Sequence, residues 1–293
     1  MTNDKPSLDL TPRALAAWAG TDRLSAVVHR LPQLASDEPL PAAQMLALFV
    51  AGRDVPAERA PTDPRLVERI GDRARAKVAV LPLGRALLVC DRADAPPRED
   101  TVCWPDDSSY HLAGALPRGR NPCWLDIGCG SAFAQLYRPE LAERKVALDI
   151  NPRAVAYARL GGELSRIALE VVESDAGALP DCAPQLVTCN APMPMASGPM
   201  VWRRADPGLF ERLFRAIPAC LAQGGLAVVH CARAAIPADL PGERVIASYA
   251  PEFAVLRWRP DGPTREIAHR RDLTVDRPHL DEHDFVLAST RGA

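Results

Sequence analysis

The sequence predicts an α/β fold: a mostly parallel sheet ending in antiparallel strands, joined to a smaller N-terminal helical module. Three observations predict it. Beyond residue 120, apolar runs of strand length alternate with helical patterns, which argues for a parallel sheet covered on both faces. Towards the C-terminus, strand-like runs follow one another without clear helices between them, so the sheet should end antiparallel. Before residue 120, short helical patterns come first and a hairpin pattern follows.

Taken in order, Thr11–Ala19 and Asp22–Arg30 read as short helices, the first opening on a Thr-Pro pair suited to a cap and first turn. Pro41–Ala51 reads as a third helix and Asp63–Arg69, opening Asp-Pro, as a fourth. Ala76–Leu81 and Arg85–Cys90, joined by Pro82-Leu83-Gly84, carry a hairpin signal. Helices followed by a hairpin suggest a winged-helix-like module. Residues 92–105, rich in Pro and acid, read as a linker, which divides the chain into residues 1–105, a substrate or lid domain, and residues 106–293, a catalytic domain.

The second part begins with a helix over Asp106–Leu116. Expected strands are Cys123–Ile127, Lys145–Ile150, Ala168–Ser174, Gln185–Asn190 and Leu226–Cys231. Helices are expected over Phe133–Tyr137, Ala154–Leu164 and Leu209–Leu221, the last two opening Asn151-Pro152 and Asp206-Pro207. Only Ala176–Pro184 separates the third and fourth strands. Arg244–Tyr249, Phe253–Trp258 and Phe285–Ser289 complete the strand set.

Composition removes several classes of function. Lys plus Arg stands against Asp plus Glu at 16 to 16 over residues 1–120 and 19 to 21 beyond, so neither half has the basic excess of a nucleic-acid-binding chain. The longest apolar run, Met45–Ala51, is far short of the roughly 20 residues of a membrane helix. The opening MTNDKPSLDL lacks a basic segment followed by an apolar one, so no signal peptide is expected. A cytoplasmic protein with its eight cysteines reduced is the expectation, and no C-x-x-C pair occurs.

In a doubly wound sheet, ligands bind beyond the carboxyl ends of the strands. Four expected strand ends carry an informative residue. CWLDIGCGSAF runs into Asp126, then Gly128, Cys129 and Gly130, where glycines permit a tight turn and close approach to a ligand. It lacks the G-x-x-x-x-G-K of a phosphate loop, and Phe133 breaks a G-x-G-x-x-G fingerprint. KVALDIN ends in Asp149 and Ile150, and an acid 19 residues after Gly130 can accept hydrogen bonds from both hydroxyls of a ribose. EVVESDAGAL ends in Asp175 and Ala176, where a carboxylate could take the amino group of an adenine or simply form a turn. VTCNAPMPM ends in Asn190.

These four features, in this order, resemble the class I S-adenosylmethionine (SAM)-dependent methyltransferases. That family carries an acidic-x-Gly-x-Gly-x-Gly loop, an acid after strand two, an acid near the end of strand three and a motif after strand four. Asp126, Gly128 and Gly130 match the loop, Ala132 replacing its third glycine; Asp149 matches the ribose acid and Asp175 the adenine position. The resemblance spans roughly residues 106–290 and implies a Rossmann-like, seven-stranded sheet with a reversed last strand, and SAM as cofactor.

CNAPMP further resembles the Asn-Pro-Pro-aromatic motif of methyltransferases acting on amide or amino nitrogen, among them the glutamine N5 and small-domain RNA enzymes. Asn190 and Pro192 are kept, whereas Ala191 and Met193 replace the first proline and the aromatic residue. Losing the aromatic platform speaks against a flipped base. Met193, Met195 and Trp202 could instead form an adaptable apolar acceptor pocket, and Ser109 and Tyr110 could close over it. The resemblance implies methyl transfer by positioning to a small-molecule or amide or amine nitrogen acceptor, with Asn190 orienting it. No strand-end residue stands out as a general base.

Two further readings share the cofactor site: an enzyme that consumes SAM without methylating, as an intramolecular cyclase or aminocarboxypropyl transferase does, and a non-catalytic SAM-fold partner. Action on nucleic acid, with residues 60–92 as a winged helix, is a further reading that the charge balance speaks against, and methylation of protein is also less expected. His279-Leu280-Asp281-Glu282-His283 fits H-x-x-E-H, but Pro278 before it and the strand-like FVLAS after it leave too little helix for a zinc site. No metal is expected.

Overall fold

The computed structural model describes residues 47–83, 86–96, 98–192, 208–248 and 252–268. The expected helices Thr11–Ala19 and Asp22–Arg30, most of Pro41–Ala51, and the expected strand Phe285–Ser289 lie outside these residues.

Residues 47–49 are helical, inside the expected Pro41–Ala51, and the rest of the described N-terminal part is mostly strand, with one 3-10 turn at Ala57–Arg59. β1 (Val55–Pro56), β2 (Val67–Ile70) and β3 (Arg73–Ala76) form a small antiparallel sheet in the order β1-β3-β2. β4 (Ala79–Leu83) and β5 (Ala86–Cys90) form the predicted hairpin. The predicted helix over Asp63–Arg69 is corrected to one turn and a strand. Asp63 accepts the amides of Leu66 and Val67 on its carbonyl, but the chain then enters β2. Gly71 at φ +61°, with Asp72, makes a two-residue turn that pairs Ile70 with Arg73. That Gly-Asp turn signal outweighs the Asp-Pro helix start.

The main sheet contains, in chain order, β6 (Asn121–Ile127), β7 (Ala142–Asp149), β8 (Glu170–Glu173), β9 (Leu186–Asn190), β10 (Leu226–Ala232), β11 (Glu243–Ser248), β12 (Phe253–Arg259) and β13 (Arg265–Ala268). Their spatial order is β13-β11-β12-β10-β9-β6-β7-β8. From β8 to β10 all pairs are parallel, and β12 runs antiparallel to both β10 and β11. The fold is therefore a mostly parallel Rossmann-like sheet with a reversed strand near its C-terminal edge. Among the described residues it has eight strands rather than the seven the resemblance implies, because β13 adds in parallel to β11.

The chain builds outward from β6 through β7 to β8, then returns to place β9 against the other side of β6. Crossovers leave in opposite directions at that point, which opens a crevice at the carboxyl ends of β6 and β9. Alternation along β6 sorts the two faces. Cys123, Leu125 and Ile127 pack with Leu213, Phe214 and Ile217 of α4 (Leu209–Cys220). Trp124 packs with Leu112 and Leu116 at the end of α1 (Asp107–Gly114) and with Ala134 of α2 (Phe133–Tyr137). α4 begins after Gly208; its predicted start, Asp206-Pro207, is outside the described residues.

α3 (Pro152–Ser165) starts as predicted, with Asn151 accepting the Arg153 amide at 3.0 Å and Pro152 in the first turn. The β4–β5 hairpin packs on it: Leu88 and Cys90 share a core with Val155 and Ala158. A methyl at Gly161 would stand 3.2 Å from the Leu87 carbonyl and 3.0 Å from Leu136, so this glycine is what lets helix and hairpin approach. The described hairpin thus shares a hydrophobic core with the sheet domain rather than standing apart from it. Among the described residues no helix is long and apolar enough to cross a membrane.

Candidate functional site

A cavity of ≈ 600 Å³ opens at the carboxyl ends of β6, β7, β9 and β10. Its outer wall is residues 101–106 and the first turn of α1. The segment read as a linker is therefore part of the site.

The floor is the loop after β6. Gly128 and Gly130 hold φ of +65° and +54°, and a methyl built on either meets nothing within 4 Å. These glycines satisfy a left-handed backbone and leave the space above the loop clear for a ligand. The loop is tied to β7, since Cys129 donates its amide to the Leu148 carbonyl at 2.9 Å and Gly130 donates to Asp149 Oδ2 at 2.8 Å. Cys129 lines the cavity, but burial pushes its thiol well above the usual range, so it packs as a small apolar side chain. Ala132, in the third-glycine position, also takes a left-handed conformation, at φ +60°.

Asp149 is buried and accepts a second amide, Asn151 N to Oδ1, at 2.9 Å. Burial raises its pKa and the backbone donors oppose the rise. Each carboxylate oxygen has a further lone pair, so Asp149 can hold the loop and still accept from a diol. Ile150 beside it is 57 % exposed on the cavity rim, an apolar surface for a flat ring. Asp175 and Ala176 also line the cavity. Asp175 Oδ1 accepts the Gly177 amide at 2.7 Å, so the turn and the cavity-lining position belong to one residue.

Asp126 faces Thr188 across the β6–β9 pair, and Thr188 Oγ1 donates to Asp126 Oδ1 at 2.5 Å. The Trp124 indole donates to Thr188 Oγ1 at 2.7 Å, which leaves the hydroxyl proton available to Asp126. Burial pushes the Asp126 carboxyl up to about 7, against the Thr188 hydrogen bond. Sequence reasoning missed Thr188, since only the strand register shows that it faces Asp126.

At the far end of the cavity, Asn190 Nδ2 donates to Ser108 Oγ at 2.9 Å, and Ser108 Oγ donates to Asp106 Oδ1 at 2.5 Å. Asp106 is also the cap of α1. Beside Asn190, as its partner in the parallel β9–β10 pair, stands His230. The His230 ring stacks on Phe253 with centroids 5.9 Å apart and planes at 23°. Burial lowers the His230 pKa to about 4, and burial with repulsion from His230 lowers that of His111 to about 3, so both imidazoles are neutral near pH 7. Sequence reasoning missed Ser108, His230 and Phe253; the LAVVHCA pattern reads equally well as a plain buried strand.

The structure brings Asp126, Gly128, Cys129, Gly130, Asp149, Ile150, Asp175, Ala176, Asn190 and Ser109 to one cavity. Tyr110 is a correction. It is buried away from the cavity lining and meets Phe133 and Tyr137 edge-on, at 4.9 and 5.8 Å. Its helical position turns it inward, whereas Ser108 and Ser109 face the site. Met193, Met195 and Trp202 lie outside the described residues, as does the H-x-x-E-H stretch. Among the described residues, no group of three or more His, Cys, Asp or Glu could hold a metal ion.

No protein-family model matches the sequence, and no curated protein matches it. Similar solved structures include the N-methyltransferase NodS from Bradyrhizobium japonicum in complex with S-adenosyl-L-homocysteine, at 18% identity over 53% of this chain and 85% of that one, with a TM-score of 0.40. A TehB-like SAM-dependent methyltransferase from Corynebacterium glutamicum aligns at 16% identity over 53% of this chain and 88% of its own, TM-score 0.39. An rRNA methylase from Streptococcus thermophilus aligns at 12% identity over 52% of this chain and 94% of its own, TM-score 0.40.

Proposed function

We propose that the chain is a SAM-dependent methyltransferase acting on a small-molecule or amide or amine nitrogen acceptor. The observation that carries this reading is one cavity with a buried acid, Asp149, beside an open glycine loop at one end and a polar amide, Asn190, at the other.

The donors and acceptors fit the cofactor. Asp149 would take the ribose hydroxyls on its remaining lone pairs. Asp175 would take the adenine amino group through Oδ2, with Ile150 and Ala176 against the ring. Gly128 and Gly130 leave room for the amino-acid end, and Asp126 offers it a carboxylate. When bound, SAM would supply a methyl group on a positively charged sulfur. The chain's own residues then hold the acceptor in line and keep water out. Asn190 orients the acceptor, neutral His230 lines the same wall beside it, and the proton released by the methylated nitrogen passes to solvent as product leaves. Residues 106–293 would form the catalytic unit, with residues 101–105 closing one wall.

A second reading is non-methylating use of SAM. It is favoured by Ala191 and Met193, which depart from the Asn-Pro-Pro-aromatic pattern. Mass spectrometry of the adenosyl product after incubation with SAM and cell extract separates the two. S-adenosylhomocysteine supports methyl transfer, and methylthioadenosine overturns it. For the site, calorimetry should show Asp149→Ala losing SAM affinity at least 100-fold, with Asn190→Ala near wild type. Equal affinity of Asp149→Ala and wild type would refute the cofactor assignment.

A further inference from the structure

We infer that Asp106 and Ser108 lock the Asn190 side-chain amide in one orientation, with its NH2 turned to Ser108 and its carbonyl oxygen left to the cavity. The argument is one of proton count. A carboxylate only accepts, so the 2.5 Å contact between Ser108 Oγ and Asp106 Oδ1 uses the single Ser108 hydroxyl proton. Ser108 can then only accept from Asn190 at 2.9 Å, and the group that donates must be Nδ2. The alternative flip would set two lone-pair oxygens against each other.

The frame that holds this chain is stiff. Asp106 Oδ1 also accepts the Ser108 amide at 3.0 Å as the α1 cap, and Asn190 ends a strand paired on β10 through Ala191 N to His230 O at 2.9 Å. Orientation of Asn190 is therefore decided 82 residues away in sequence, by the start of α1.

The consequence, which rests on Asn190 being an acceptor-side residue as proposed above, is a substrate class. Asn190 offers a hydrogen-bond acceptor, so the group to be modified must arrive as a donor: a neutral amine, amide or ring N–H. Carboxylate and phenolate acceptors would meet oxygen with oxygen. Ser108 and Asp106 are positioning residues.

The test needs neither SAM nor substrate. In isotope-labelled protein, the Asn190 side-chain amide signals are assigned by their loss in Asn190→Asp. Ser108→Ala should speed their hydrogen exchange roughly tenfold, the loss of one hydrogen bond. Asp106→Ala should also speed it, because Ser108 then loses the acceptor that takes its proton and fixes its hydroxyl. If either variant misfolds by its backbone spectrum, the other decides alone. Unchanged exchange in the folded variants overturns the lock.

A second readout is thermal unfolding. Asn190→Asp sets two carboxylates against one hydroxyl and should lower the melting temperature. In an Asp106→Ala background the same substitution should lower it less, since the Ser108 proton is then free to turn to position 190; an equal loss in both backgrounds also overturns the lock. Failure to bind SAM would sink the functional reading and leave these outcomes untouched.

Discussion

Thr188 and Asp126 hydrogen-bond at 2.5 Å across the β6–β9 pair, 62 residues apart in sequence, with Asp126 only 4 % exposed on the cavity lining. Its raised pKa has a sign. Between roughly pH 4 and 7 the folded carboxyl holds a proton that the unfolded one has lost, so its contribution to stability falls as pH rises through that window. Asp126→Asn keeps an acceptor for Thr188 without the charge. Urea unfolding of the ligand-free protein should find the variant more stable at pH 8 by on the order of 2 kcal/mol, the gap closing near pH 4. Equal stability at pH 8 would contradict the burial of an ionisable carboxyl.

His230 acts in the opposite direction over nearly the same range. Its folded pKa of about 4 means that below roughly pH 6.5 the unfolded imidazole binds a proton the folded one refuses. Stability is lost as pH falls towards 4. His111, lowered to about 3, pulls the same way, so wild type should lose stability as pH falls from 6.5 to 4 despite the opposing contribution of Asp126. His230→Gln removes one arm, so relative to wild type it should gain on the order of 2 kcal/mol between pH 6.5 and 4. A constant difference across that range would mean that His230 titrates normally.

Ala132 carries a left-handed backbone at φ +60°, ψ 36°, with its methyl fully buried. The conformation costs an alanine about 1–2 kcal/mol. Glycine would relieve that but lose roughly 0.8 kcal/mol of methyl burial and add about 0.4–1 kcal/mol of unfolded-state entropy. Ala132→Gly should therefore be neutral within about 0.5 kcal/mol by denaturant unfolding. Ala132→Val, β-branched at positive φ, should cost more than about 3 kcal/mol. A large loss in the glycine variant would show that the methyl has a role beyond packing.

Asp91 is the hub between the hairpin and α3. It accepts from Arg153, from the Tyr157 hydroxyl at 2.9 Å and from the Val102 amide at 2.8 Å, and is 6 % exposed. Removing it strands a half-buried guanidinium and unties the segment that walls the cavity. Asp91→Ala should destabilise by about 3–5 kcal/mol. A loss below about 1 kcal/mol would show that the two parts do not depend on this contact.

What the sequence by itself determined was local. Strand runs, the Asp126-Gly128-Gly130 loop, Asp149 and Asn190 were legible because turn chemistry and apolar alternation act over a few neighbouring residues. The helix misread at Asp63–Arg69 marks the limit of that approach, where two local signals conflicted and strand pairing chose between them. Tertiary structure decided the rest. Thr188 meets Asp126, Ser108 meets Asn190, and His230 stands beside Asn190 only because strand order and register bring distant segments together. The state of each buried group follows from the same packing. A carboxyl held near 7 and two neutral imidazoles arise from loss of water around them, and no stretch of sequence displays how much water its neighbours will exclude.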